Sequence, residues 1–317
     1  MTSTKTKGFT IVELLTVMSI IIILMSVLVP GLARTRRYAK VVVQKGQFNE
    51  ISKGLELYRN DHQETYPDSG ATDTNTTPAG YCGAMKLCEA LIGRDGMGNH
   101  PLSSFQAQQT DIYLFNLCTI RDPGVTPYTA AEKTNLQDRT MYTDAENIKA
   151  YRLQDIYNWD ITSGASFYPP SATFQSTTQD IPNAVIGDVF QRASINSKYC
   201  AAKSGQKVGM PVLYYKADSS KIAHDATTIP ASATPNTNIY NFDDNYAITA
   251  LGCPWEGGSA PTTHHPMYDD PRVFLKAITN DKVTSTPRPH NEDGYILLSA
   301  GWDGLYGTQD DVYNFAK

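Results

Sequence analysis

Three aspartates and three glycines crowd one short stretch near the C-terminus, Gly301-Trp302-Asp303-Gly304-Leu305-Tyr306-Gly307-Thr308-Gln309-Asp310-Asp311. Calcium is a hard cation that takes roughly six to eight oxygens from carboxylates and backbone carbonyls, and glycines let a chain curl around it. The composition therefore suits calcium. The spacing is not that of an EF-hand, and an acidic glycine turn without metal would have the same composition. A second chemical oddity is Glu13, a lone carboxylate at the start of a long apolar run. An ionised carboxylate at membrane depth is costly and needs a partner or a function.

The other reactive side chains carry weaker signals. His264-His265-Pro266 with Asp269-Asp270 has zinc-compatible ligand types, but adjacent histidines do not share a helix face and a Thr/Pro-rich loop supplies no outer shell, so they read as loop histidines. Ser163-Gly164-Ala165-Ser166 is not a nucleophile elbow, and no nucleotide-binding glycine motif occurs. The reading is of a protein that is not an enzyme. The five cysteines, Cys82, Cys88, Cys118, Cys200 and Cys253, form no C-x-x-C pair. In an oxidising compartment Cys82 with Cys88 is the one local bridge to expect, and the odd count leaves at least one thiol over.

Residues 14–29, LLTVMSIIIILMSVLV, contain no charge, and with Phe9 to Val12 they reach the ~20 residues that cross ~30 Å of hydrocarbon as a helix. A secretory signal peptide is the competing reading, with Lys5 and Lys7 as its basic start and Gly31-Leu32-Ala33 as its cleavage site. The length of the apolar core and the presence of Glu13 oppose it. Charge is divided unevenly: residues 1–45 carry seven Lys or Arg and one acid, whereas the whole chain is −5. The acidic remainder lacks the Lys/Arg surface that would release phosphate counterions, which argues against nucleic acid as a partner. The basic cluster Arg34, Arg36, Arg37 and Lys40 follows the apolar run and suits a membrane or a neighbouring subunit.

Read as one unit, Lys7-Gly8-Phe9-Thr10-Ile11-Val12-Glu13-Leu14-Leu15 resembles the processing motif of type IV prepilins and type II secretion pseudopilins. The resemblance implies cleavage between Gly8 and Phe9 by a prepilin peptidase, N-methylation of Phe9, and a role for Glu13 in neutralising the Phe9 amine of a subunit during assembly. A buried amine and a buried carboxylate are each costly alone and tolerable when paired. Pro30 sits where such subunits often loosen their helix. The C-terminal loop is similar to the loop after the last strand of major secretion pseudopilins, which implies that Asp303, Asp310 and Asp311 hold calcium. Further partners implied are copies of the chain or related pilins in a filament, and an inner-membrane assembly platform.

Beyond Pro30 the periodicity stays helical through Tyr58, with Ile51, Leu55 and Tyr58 on one face and Lys53, Glu56 and Arg59 on others. Phe9 to about Arg59 is thus expected as one helix of about 75 Å, ended by the Asp61–Asp68 segment with its Tyr66-Pro67 pair. Ala84–Ile92 and Ala145–Trp159 read as further helices, Ile112–Leu117 as an apolar strand or helical turn, and Asn183–Val189, Gly209–Lys216 and Gly294–Ala300 as strands. Residues 226–237 and 259–266 read as surface loops. The expected fold is α+β and pilin-like, a long N-terminal spine helix packed on a small antiparallel sheet with large irregular insertions.

The corresponding organisation is a leader at 1–8, a transmembrane and filament-core segment at 9–29, a continuation of the spine at 30–60, and an exported head at 61–317 ending in the acidic glycine loop. This implies a single-pass protein of the inner membrane, with its head in the periplasm or outside the cell. The alternatives are a binding or adhesive module displayed on a pilin-like stalk and an anchored exported hydrolase. One feature opposes the topology: the cluster at Arg34–Lys40 is more basic than the N-terminal flank, and the positive-inside rule would place it in the cytoplasm. That rule is weak for a span followed by a large exported domain.

Overall fold

The computed structural model describes residues 10–71, 81–94, 96–105, 138–144, 148–157, 184–195, 205–228, 236–255, 263–283 and 286–315. By its internal contacts the chain divides into two units, Met1–Val42 and Val43–Lys317. A single helix, α1 (Ile11–Asp61), contributes to both.

In the first unit α1 is mostly Leu, Ile, Val and Met from Ile11 to Val29, and the described side chains from Ile11 to Ala39 are exposed. Pro30 lies inside the helix, where its missing N–H leaves the carbonyl four residues back without a ladder donor.

In the second unit Gln44, Gln47, Phe48, Ile51, Leu55 and Tyr58 are buried at helical spacing. Burying Phe48, Ile51 and Leu55 contributes on the order of 1.5–3 kcal/mol each. Gly54 has a packing reason: a Cβ there would lie 2.8 Å from Leu91 Cδ2 and 3.2 Å from the Tyr142 carbonyl. The helix stops where Gln63 and Glu64 turn left-handed, at φ 53° and 59°, and the Glu64 amide returns to the Arg59 carbonyl at 2.9 Å. Beyond it the Tyr214 hydroxyl donates to the Pro67 carbonyl at 2.8 Å.

The core forms around α2 (Gly83–Ile92), every residue of which is buried. Its first turn is held by Asn245, whose Oδ1 accepts from the Ala84 amide at 2.8 Å while its Nδ2 donates to the Tyr214 carbonyl at 2.7 Å. At its far end Arg94 and Glu89, both buried, pair at 3.1 Å beneath Tyr81. Among the described residues there are three small antiparallel sheets, where one was expected. The largest joins β5 (Leu213–Lys216), β6 (Tyr295–Ser299) and β7 (Val312–Tyr313), with Tyr214 opposite Leu297 and Leu298 opposite Tyr313. The others pair β1 (Ala150–Arg152) with β2 (Ala184–Ile186), and β3 (Ala193–Ser194) with β4 (Lys207–Val208). Short helices α3 (Leu153–Ile156), α4 (Tyr246–Thr249), α5 (Pro266–Asp269) and α6 (Arg272–Ile278), with a 3-10 turn at Phe242–Asn245 before α4, complete the described elements.

A long helix with small antiparallel sheets makes the chain α+β. The expected helix over Ala145–Trp159 is corrected across its described residues. Lys149 adopts φ 51°, which breaks a helix, and Tyr151 pairs with Val185 as a strand before the short α3. Ile112–Leu117, residues 145–147 and residues 158–159 lie outside the described residues, as do residues 229–235 and 259–262 of the expected loops.

Candidate functional site

The start of α1 is built from a four-residue unit. The Thr10 hydroxyl accepts from the Glu13 amide at 3.3 Å, while the Glu13 carboxylate accepts from the Thr10 amide at 2.9 Å and from its hydroxyl at 2.8 Å. This reciprocal exchange is a capping box, which satisfies two of the backbone donors that a helix start leaves over. Glu13 therefore has a local role that the charge argument missed, although the Thr10-x-x-Glu13 spacing carried the signal. Gly8 and Phe9 lie outside the described residues. Among the described residues one helix, α1, is long and apolar enough to cross a membrane, and none of its apolar window is buried. Ile11 is 79% exposed and Leu28 69%, values that ordinary solvation of a folded domain does not sustain over so many consecutive residues.

The C-terminal loop follows β6 and returns to β7. Gly301, Gly304 and Gly307 take φ of 67°, 78° and 95°, in the left-handed region that side chains disfavour. A Cβ at Gly301 would collide with the Asp310 carbonyl, and one at Gly307 would lie 2.7 Å from the Met267 amide. The carboxylates close the curl: Asp303 accepts from the Leu305 amide at 2.8 Å, and Asp310 accepts from the Asp303 amide at 2.9 Å and the Thr308 hydroxyl at 2.8 Å. Asp311 instead accepts from the Gly307 amide at 2.9 Å. Burial first, and then the Asp310 charge, hold the Asp303 carboxyl above its ordinary range. Asp310 is also pushed upward by burial, but its hydrogen bonds from Asp303 and Thr308 outweigh this and leave it below. Asp303 and Asp310 thus form an electrostatically interacting pair from which Asp311 is turned toward another donor. Among the described residues no cluster of three or more His, Cys, Asp or Glu side chains is placed to hold a metal ion, and Asp303 and Asp310 stand as a pair.

The loop is locked onto its neighbours by His265, which the sequence suggested only as a loop histidine and which the structure buries. His265, completely buried, accepts from the Tyr306 amide through Nδ1 at 3.3 Å, and the Tyr306 carbonyl accepts from the Met267 amide at 3.1 Å. Burial lowers the His265 pKa to about 4, so the ring is neutral at pH 7, as an acceptor Nδ1 requires. Its neighbour His264 faces outward, 3.3 Å from Asp269, and Asp270 is held by Arg272 at 2.8 Å. The two histidines and two aspartates are not one constellation.

The expected Cys82–Cys88 bridge is replaced by two buried free thiols. Cys82 caps α2 and Cys88 lies six residues along it, an axial rise of about 9 Å that exceeds the ~7 Å limit between bridged Cα atoms. Burial raises both thiols above their usual range, Cys82 to about 11. Cys253 is also buried, and Cys118 and Cys200 lie outside the described residues.

Comparison with known proteins gives no match: no family model, no curated protein and no solved structure is similar to the chain.

Proposed function

We propose that this chain is a structural subunit of a type IV pilus-like or type II secretion pseudopilus filament, processed by a prepilin peptidase and assembled through its N-terminal helix. The observation that carries the reading is the change of character along α1: exposed and apolar from Ile11 to Val29, packed into a folded head from Gln44 to Tyr58. Apolar surface of that extent needs an apolar surrounding, first a bilayer and then the helices of neighbouring copies. In the filament Glu13 would serve twice, capping its own helix and offering its charge to the Phe9 amine of a neighbour. Mass spectrometry of the mature N-terminus tests the processing. A chain beginning at N-methylated Phe9 is expected, and a chain beginning at Arg34 would establish an ordinary signal peptide instead.

The C-terminal loop has donors suited to calcium. Asp303 and Asp310 interact in a half-buried curl that only glycines can follow, and two like charges there favour a bound cation or a retained proton. Asp303 and Asp310 would be the carboxylate ligands, with backbone carbonyls completing the set. Asp311, engaged by Gly307, would act as the closure of the turn.

A further inference from the structure

We propose that Arg34, Arg36 and Arg37 form a collar that binds the headgroups of anionic phospholipids where α1 leaves the bilayer. The inference rests on the reading of Ile11–Val29 as a membrane span. Those 19 residues rise about 28 Å as a helix, matching the ~30 Å hydrocarbon layer. Arg34 then lies about 8 Å beyond Val29 along the axis and Arg37 about 12 Å. The headgroup layer occupies roughly 5–8 Å on each side of the hydrocarbon. Every Cα–Cβ bond of a helix tilts toward its N-terminus, here toward the membrane, and arginine stems can lie along an apolar surface while the guanidinium reaches polar partners. The three exposed guanidiniums are therefore carried back into the phosphate level.

Charge, depth along the axis and an aromatic neighbour suit a lipid headgroup layer. No Asp or Glu occurs between Glu13 and Glu50, so Arg34, Arg36, Arg37, Lys40 and Lys45 form an uninterrupted basic stretch. At about 100° per residue Arg34 and Arg36 project roughly 160° apart, with Arg37 between them. The three guanidiniums thus share one side of the helix and can meet the phosphate layer together. Tyr38, 71% exposed at the same level, suits the aromatic belt of a membrane interface.

The test is spin-label electron paramagnetic resonance on the full chain reconstituted in phosphatidylcholine vesicles, with trace spin-labelled phosphatidylglycerol or phosphatidylcholine. At low salt the motionally restricted fraction should favour phosphatidylglycerol by at least about fivefold, the worth of one engaged arginine, and the preference should approach unity near 1 M salt. Substituting all three arginines by glutamine should abolish the preference, and substituting all three by lysine should retain it. Equal restriction of both lipids, or a preference surviving the glutamine variant, would overturn the collar while leaving the span intact. A preference lost in the lysine variant would also overturn it. No restricted lipid of either kind would instead remove the membrane span on which the collar rests. Loss of self-association in the glutamine variant without any lipid preference would assign the arginines to an acidic neighbouring subunit.

Discussion

The side-chain amide of Gln47 donates to the main-chain carbonyl of Gly187 at 2.8 Å and to that of Ile148 at 3.2 Å, while its oxygen accepts from Gln44 at 2.9 Å. Gln44 in turn accepts from the Val189 amide at 2.9 Å. Two buried glutamines on α1 thus substitute for a missing strand partner along the segment that follows β2. The register of the helix against the head is fixed by directional bonds as well as by apolar packing.

Gln47→Met keeps the length of the side chain and removes both donors, leaving two buried carbonyls without this donor. The head should lose about 2–4 kcal/mol, read as a lower urea midpoint with an unchanged slope. A loss under ~0.5 kcal/mol would show that the two bonds are dispensable.

The capping box separates two roles of Glu13. Glu13→Gln retains an oxygen for the Thr10 amide but no charge, and Glu13→Val retains neither. Membrane insertion and cleavage should survive in both, and filament yield should fall in both, because the Phe9 amine loses its counter-charge. Normal yield from the Gln variant with poor yield from the Val variant would reduce Glu13 to a helix cap.

Much of this architecture was legible in the residues, and the omissions have a common cause. Ile51, Leu55 and Tyr58 repeat at helical spacing, and the apolar runs around Ala184–Ile186, Leu213–Lys216 and Tyr295–Ser299 stand between turn residues. Periodicity therefore exposed the spine, α2 and three strands. Two-residue strands such as Ala193–Ser194 and Lys207–Val208 are too short to have a period, and β1 hides inside a pattern that also suits a helix. Gln44, Gln47 and His265 are polar residues whose burial depends on partners far along the chain, so no local pattern reveals them. At the C-terminal loop the glycine and aspartate types were informative. The division of labour between Asp310, interacting with Asp303, and Asp311, bonded to Gly307, is a matter of geometry alone.

Two buried groups should set opposing pH dependences. His265 has its folded pKa lowered to about 4, chiefly by burial, against an ordinary 6.5, so its contribution is present above pH 6.5 and is lost as pH falls toward 4. Asp244 is raised to about 7, again chiefly by burial, against an ordinary 3.8; its contribution is present below pH 3.8 and is lost as pH rises toward 7. Asp244→Asn keeps an acceptor for the Ser69 hydroxyl and removes the second effect. Relative to the unmutated chain it should gain stability at pH 8 more than at pH 4, measured by urea unfolding. An equal change at both pH values would refute the assignment to Asp244.

Calcium, if bound by the loop, should raise the stability of the folded head by RT ln(1 + [Ca2+]/Kd), about 2.7 kcal/mol at a hundredfold excess over Kd. The physical basis is the Asp303–Asp310 pair, whose mutual repulsion in a half-buried curl a divalent cation reverses. The aspartates are distinguished by their separate bonds. Asp303→Asn can still accept from the Leu305 amide, so it should remove most of the calcium effect while leaving the chelated melting point nearly unchanged. Asp311→Ala takes the acceptor from the Gly307 amide, so it should lower the stability in calcium and in chelator by similar amounts, on the order of 1–3 kcal/mol. If the unmutated chain melts at the same temperature with calcium and with chelator, the loop is an acidic turn closed by its own hydrogen bonds. If Asp311→Ala alone abolishes a calcium shift, the third aspartate is a ligand and the assignment drawn from Gly307 is reversed.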